Sequence, residues 1–339
     1  MTIDDIWPQY KKRVGYGQIR VSELKGKFVA IDCAAILEYP LRCMAKKNYL
    51  PSINPFTDTV DDDVVDARWL GNVIKRLDEY YAAGFVPVVV YDGPKHRFKL
   101  ETDKKRAAVQ EAAVADLEML GMMEDDTPAS RKRAHQCLLK INNVPQKSKA
   151  RLFALVQTLG VPYVISTGEA ERTCALMNRD GAVHAAITPD GDFLACGGLL
   201  QLKEKCVISH NNIGYDGYVT AELQPFLDVL EVSFDSFQQI CIMSGTDMNT
   251  KIGGVSWKGA EDAVKKYGSI TSYGEQTGKP IACLNHLEVH EECFRVIPWK
   301  ESVSAFDLSP QLLEAEARAL AEEYGAVKQL EVFLRRRAM

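Results

Sequence analysis

The 339-residue chain contains no run approaching 18 apolar residues, so no membrane-spanning helix is expected. Its opening, MTIDDIWPQYKKR, places acids where a secretory leader carries bases, and it lacks an apolar core, so no leader is expected. The nine cysteines (33, 43, 137, 174, 196, 206, 241, 283, 293) are odd in number, and none shares a C-x-x-C spacing with another. That argues against a zinc ribbon or a disulfide framework and for reduced thiols in an intracellular compartment. There is no internal repeat and no low-complexity segment. An apolar share of 46% with 26% charged residues fits a folded globular protein and excludes disordered, collagen-like and coiled-coil chains. The length suffices for one large domain or two smaller ones with a sizeable core. The net charge of −5 shows no bulk basic excess of the kind that marks many nucleic-acid binders, so the distribution of charge has to decide.

The chain is rich in acids at the ends of apolar runs. KFVAID (27–32) ends in Asp32 and FVPVVVYDG (85–93) contains Asp92 at its close. VPYVIS (161–166) is followed by Glu169 and Glu171, and AVHAAIT (182–188) by Asp190 and Asp192. ICIMSGTD (240–247) ends in Asp247. The first four runs read as strands, with a fifth strand or hairpin at 199–209, a helix at 67–84, a long helical stretch over about 97–160, and mainly helix from about 218 onward. Strands alternating with helices predict a mainly parallel α/β sheet, in which ligands sit outside the carboxyl ends of the strands. The strand-end acids and Asp247 are therefore expected to converge on one sheet edge.

Each acid also has a local explanation. Ser166–Glu169 fits the S-x-x-E capping box, and Pro189-Asp190-Gly191 and Asp92-Gly93 fit turns. Seven carboxylates at one edge would nevertheless repel one another and raise each other's pKa values, so compensating cations are expected. All-oxygen ligation without His or Cys suits Mg²⁺ or Mn²⁺. An EF-hand is excluded, because Asp190-Gly191-Asp192 lacks that loop's later ligands. Two such ions about 3.5–4 Å apart clamp the attacking and leaving oxygens of an in-line phosphoryl displacement. Without these seven acids the chain's charge would be +2. Its bases concentrate in KHRFKLETDKKR (95–106), with Arg97, Lys99, Lys104, Lys105 and Arg106, and in the acid-free stretch 131–151, with Lys147, Lys149 and Arg151. A solvated helix face accounts for many charge runs, but beside a metal-type site these runs suit phosphate neutralisation. KIGGVSWKGAEDAVKKYG (251–268) reads as helix, glycine turn, helix, with Lys251, Gly253, Gly254 and Lys258 placed for phosphate, or else as an ordinary helical hairpin.

With these motifs in this order, VAIDCA, VVVYDG, GVPYVISTGEAE, ITPDGD and CIMSGTD, the chain resembles the structure-specific 5′ nuclease superfamily, and within it the flap endonucleases. The resemblance spans roughly residues 25–275 and fills all seven acidic positions. It implies a PIN-like α/β nuclease core at 1–217 with a helical arch over about 97–155, through which a single-stranded 5′ flap threads. It further implies a mainly helical region at 218–339 containing a helix–two-turn–helix at about 240–268. Two Mg²⁺ ions, replaceable by Mn²⁺, would be held by Asp32, Asp92, Glu169, Glu171, Asp190, Asp192 and Asp247. Lys99 and Arg106 match the basic residues that contact the scissile phosphate. Relatives hold K⁺ at the duplex-binding turn; here Lys251 stands at the matching small polar position, with Thr250 beside it, so either an ammonium replaces the ion or Thr250 supplies the oxygen.

Four features depart from the family pattern. Thr2 stands for the usual glycine, and Glu38, followed by Tyr39, for a base-stacking tyrosine. GVSWKGA replaces GIGPKRA, and the chain ends in VFLRRRAM without a sliding-clamp motif. The short form resembles a viral or otherwise divergent member. The expected activity is Mg²⁺-dependent 5′ flap endonuclease and 5′–3′ exonuclease cleavage of branched DNA in replication, repair or recombination, by a monomer in the nucleus or at a viral replication site. The alternatives are a 5′–3′ exoribonuclease or junction-cutting relative, a small-substrate metallophosphatase, and a non-catalytic DNA-structure-binding protein.

Overall fold

The computed structural model describes residues 6–337 apart from 124–125, 142, 211–212, 251 and 253. Eight strands form one sheet: β1 (Gly17–Arg20), β2 (Phe28–Asp32), β3 (Val86–Tyr91), β4 (Tyr163–Ser166), β5 (Ala185–Ile187), β6 (Leu200–His210), β7 (Ile213–Glu222) and β8 (Val303–Asp307). Their spatial order is β1-β7-β6-β5-β2-β3-β4-β8. β2 lies parallel to both β3 and β5, and β5 parallel to β6, whereas β6–β7 and β1–β7 are antiparallel. The expected mainly parallel α/β core is therefore present, with an antiparallel hairpin at one side. Three strands differ from the sequence reading, and the first of them, β1, lies where no strand is expected. The sheet runs on to Glu222 and takes β8 from the stretch expected to be helical. β8 is a short strand with three of its five residues exposed, so it carries little of the apolar pattern by which a buried strand is recognised.

The helices are α1 (Ile6–Arg13), α2 (Tyr39–Tyr49), α3 (Asp62–Ala82), α4 (Leu100–Met122), α5 (Pro128–Lys140), α6 (Gln146–Thr158), α7 (Ala170–Arg179), α8 (Asp192–Ala195), α9 (Leu223–Leu230), α10 (Phe234–Ser244), α11 (Trp257–Tyr267), α12 (Ile270–Thr277), α13 (His286–Val289), α14 (Glu314–Glu323) and α15 (Val327–Arg337). No helix among the described residues is long and apolar enough to cross a membrane. None of the nine cysteines forms a disulfide.

The chain divides into two compact units. The first comprises residues up to Asp32, Ala83–Leu100 and Val164–Phe306, and holds the sheet. Its central strands are buried on both faces: Val29, Ala30 and Ile31 of β2 and Val88, Val89 and Val90 of β3 are fully enclosed, as continuous β-branched and small apolar runs dictate. Phe226 of α9, Phe237 of α10 and Trp257 of α11 form a second apolar cluster, Phe226 and Trp257 stacking at 6.2 Å.

The second unit comprises Cys33–Ala82, Glu101–Tyr163 and Asp307 onward, and is helical. The wholly buried Asp66 of α3 organises its interior. Asp66 accepts from Arg42 Nε at 3.1 Å, Ser148 Oγ at 2.6 Å and Arg151 Nη1 at 3.0 Å, so the buried charge is fully paired. The C-terminal helix is tied to α3 by Arg336–Asp78 at 2.7 Å and by Arg337 donating to the Tyr81 hydroxyl at 2.8 Å.

Candidate metal centre

In the first unit the sheet places the acids as its topology requires. β2 ends in Asp32, which is 6% exposed and accepts from the Thr188 hydroxyl at 3.4 Å. Asp92 follows β3 directly. Its carboxylate accepts the Ala170 backbone N–H at 2.8 Å and so caps the N-terminus of α7. This corrects the local explanation for Glu169: Glu169 occupies the cap position of α7, but its side chain makes no capping hydrogen bond. The carboxylate of Glu169 instead pairs with the ammonium of Lys99. Gly93 permits the approach, because a Cβ there would overlap Ser166 O and lie 2.8 Å from the Thr167 carbonyl carbon.

Glu171 sits in the first turn of α7, buried. Asp190 and Asp192 bracket the turn after β5. The Asp190 N–H donates to Thr188 Oγ1 at 3.3 Å, and the Asp192 N–H to Asp190 Oδ1 at 3.4 Å. Gln201 of β6 locks the turn, its Nε2 donating to the carbonyls of Thr188 (2.9 Å) and Asp190 (2.6 Å). Sequence reasoning did not single out Gln201 or Thr188. Thr188 lies two residues before Asp190, a spacing that signals a side-chain-stabilised turn, but Gln201 carries no local signal.

Carboxylate oxygens of Glu171, Asp190 and Asp192 all lie within 4.8 Å of one another, Asp192 being wholly buried. Burial, reinforced by the charges of Asp190, Asp192 and Asp32, holds the Glu171 carboxyl well above the ordinary range. Burial also raises Asp190, and the Asp247 charge adds to this. Asp247 follows α10 on a turn in which Asn249 Nδ2 donates to Ile242 O at 2.8 Å. For Lys99, burial alone would favour the neutral amine, but Glu169, Asp247 and Asp92 outweigh it and raise its pKa. Three clustered carboxylates, two of them buried, with no His or Cys among the ligating atoms fit a hard divalent cation, whose charge would offset their repulsion.

The other sequence-predicted residues are distributed as follows. Arg106, Lys104 and Lys105 are exposed on α4 of the second unit. Lys147 pairs with Asp63 at 3.1 Å and Lys149 with Glu38 at 2.8 Å. Arg151 pairs with Asp63 at 2.5 Å as well as with Asp66, and its side chain is only 15% exposed. In the first unit, Arg97 pairs with Glu292 and Lys258 with Asp262, the latter at 2.7 Å. Gly254 lies in the α10–α11 connection at a φ of 77°. Lys251 and Gly253 lie outside the described residues. In that connection, Ser256 caps α11 by accepting from the Gly259 N–H.

Comparison with known proteins accords with this geometry. The family model for the XPG N-terminal domain matches residues 1–113 and that for the XPG I-region residues 160–247. The chain is 29% identical over 280 residues to flap endonuclease 1 of Babesia bovis, covering 82% of this chain and 38% of that protein. It is 26% identical over 272 residues to flap endonuclease 1 of Cryptosporidium parvum, covering 77% and 53% respectively. The chain thus spans about half the length of the curated relatives it matches. The fold is shared with flap endonuclease-1 from Methanococcus jannaschii, with a TM-score of 0.60 and 21% identity over 97% of this chain and 98% of that one. It is also shared with the catalytic core of Rad2 in complex with DNA substrate, with a TM-score of 0.59 and 16% identity over 98% and 99%. Human GEN1 in complex with Holliday junction DNA gives a TM-score of 0.58 at 16% identity over 98% and 77%. With the two regions together matched over more than half its length, the chain belongs to the XPG family.

Proposed function

We propose that the protein is a Mg²⁺-dependent 5′ flap endonuclease with 5′–3′ exonuclease activity on branched DNA. The observation that carries this reading is the triad of buried Glu171 and Asp192 with half-buried Asp190, their ligand oxygens within 4.8 Å, in the unit that also holds Asp32, Asp92, Glu169 and Asp247. Glu171, Asp190 and Asp192 would hold Mg²⁺ or Mn²⁺, which would supply water activation and charge neutralisation for in-line hydrolysis of a phosphodiester. Asp92 holds the start of α7, and with it Glu169 and Glu171, in place. In this reading Lys99, whose ammonium pairs with Glu169, donates to a non-bridging oxygen of the scissile phosphate. Arg106 has the matching part on α4. Arg97, Lys104, Lys105, Lys147 and Lys149 offer exposed charge for the phosphate backbone, and the α10–α11 connection, with Gly254 and Lys258, serves the duplex as a helix–two-turn–helix. Whether K⁺ or the Lys251 ammonium serves that turn is read from duplex affinity in K⁺ against Na⁺. The protein acts as a monomer on nuclear DNA or at a viral replication site.

A cleavage panel tests the reading: 5′-labelled flap, nicked, gapped, Holliday-junction and single-stranded DNA and RNA, with and without Mg²⁺. Metal-dependent incision at the flap base, ahead of junction and RNA, is expected. Preferential RNA degradation or junction resolution would assign the chain to another branch, and binding without cleavage would make it a DNA-structure-binding protein.

A further inference from the structure

Gly191 stands between the two aspartates of the candidate metal turn, and its backbone does not require glycine. Its φ of −80° and ψ of −20° are open to any L-residue. The space around it does require glycine. A Cβ at 191 would overlap the Cγ2 methyl of Ile6 and would lie 3.5 Å from both Ile6 Cβ and Trp7 Cε2. Ile6 is wholly buried in a close-packed interior, so its methyl has no open space to swing into.

Helix α1, which carries Ile6, is itself fixed to the sheet. The Tyr10 hydroxyl accepts the Glu222 N–H at 2.8 Å and donates to the Glu222 carbonyl at 3.2 Å, and its ring meets Phe226 at 5.0 Å. The Lys203 ammonium lies 3.0 Å from the Trp7 ring centroid. Lys203 is two residues from Gln201, which holds the Asp190 carbonyl on the same turn. The turn is thus hydrogen-bonded to β6 and also packed against α1, which is itself anchored on β6 and β7.

We infer that α1 is a positioning element of the metal centre: Ile6, seated on Gly191, holds the turn so that Asp190 and Asp192 converge on Glu171. This rests on the metal-centre reading above, and deepens it by naming what sets the ligand spacing.

The test is Mn²⁺ binding to the full chain, read from the free-ion EPR signal, with thermal melts in parallel. Outer-shell supports of metal ligands typically contribute 10–100-fold in affinity, so Gly191→Ala is expected to weaken Mn²⁺ binding at least about tenfold. Ile6→Ala, which removes the seat without adding a group, should also weaken it, by less than Gly191→Ala does. In the double variant Ile6→Ala/Gly191→Ala the added methyl fills the vacated space, and affinity should return to that of Ile6→Ala alone. Ile6→Val/Gly191→Ala keeps the γ-methyl and should stay as weak as Gly191→Ala. The thermal melts separate the two roles: a merely destabilising replacement lowers the Tm and leaves the Mn²⁺ affinity of the folded protein unchanged. The inference is overturned if Gly191→Ala binds Mn²⁺ like the parent, if Ile6→Ala does so, or if the double variant is no better than Gly191→Ala. If the parent chain binds no Mn²⁺, or Asp192→Asn binds it equally well, the metal-centre reading fails instead, and this inference with it.

Discussion

Asp192→Asn separates a metal centre from an ordinary buried polar cluster by the sign of its effect on stability. Asp192 is wholly buried, and its carboxylate shares a 4.8 Å cluster with those of Glu171 and Asp190. Two unit charges 4.8 Å apart repel by about 3.5 kcal/mol at an effective dielectric constant of 20. A carboxylate can escape that repulsion by taking up a proton, which costs an ordinary carboxyl about 4 kcal/mol at pH 7, so the relief available has a similar ceiling. The amide has the shape of the carboxylate and no charge. In EDTA the variant should therefore be more stable than the parent by about 2–4 kcal/mol, a rise in Tm of about 4–8 °C. In Mg²⁺ the order should reverse, because ligand binding stabilises only the chain that holds the ion tightly. Differential scanning calorimetry of both proteins, in EDTA and across a Mg²⁺ titration, reads both halves. A variant less stable than the parent in EDTA, or equal stabilisation of both by Mg²⁺, would refute the reasoning.

Three further outcomes follow from the same geometry. Lys99→Ala and Arg106→Ala should lower the single-turnover cleavage rate more than flap affinity, whereas Lys147→Ala should weaken binding and reduce its salt slope; one common pattern for all three would remove the distinction. Arg151→Ala should destabilise the second unit by about 2–3 kcal/mol, since buried Asp66 loses a charged partner, while exposed Lys147→Ala should change stability by no more than about 0.5 kcal/mol, both read by urea denaturation. Glu171 binds a proton more readily folded than unfolded, so its contribution to metal-free stability is full below the ordinary carboxyl pKa and falls as pH rises. Over roughly pH 5 to 7 in EDTA the parent should therefore lose stability relative to Glu171→Gln, and parallel curves would count against the raised pKa.

The gathering of Glu171, Asp190 and Asp192 was legible in the sequence because parallel-sheet topology turns a local pattern into a spatial one. A β-branched run ending in Asp32 or Asp92 needs only the rule that ligands gather at strand carboxyl ends. The partners that hold those acids were not legible, because they are chosen by tertiary contact. Ser166 and Glu169 have capping-box spacing, yet the cap of α7 comes from Asp92, 78 residues earlier than Ala170. Arg151 lies in a basic run that reads as a phosphate-binding surface, but Asp63 and Asp66 on α3, more than 80 residues away, take its guanidinium. Gln201 has no neighbour in sequence to betray its grip on the Asp190 turn. β8 escaped for a different reason: three of its five residues are exposed, so its apolar signal is weak.

The most direct test of the account is single-turnover cleavage of a 5′-labelled flap by the parent protein and by Asp190→Ala, in Mg²⁺ and in EDTA, with flap binding measured on the same samples. The account predicts incision by the parent in Mg²⁺ alone, and an Asp190→Ala protein that binds the flap at least as well but cuts it at least about 100-fold more slowly, as loss of a metal ligand requires. Cleavage that persists in EDTA, or an Asp190→Ala rate above about a tenth of the parent's, would contradict it.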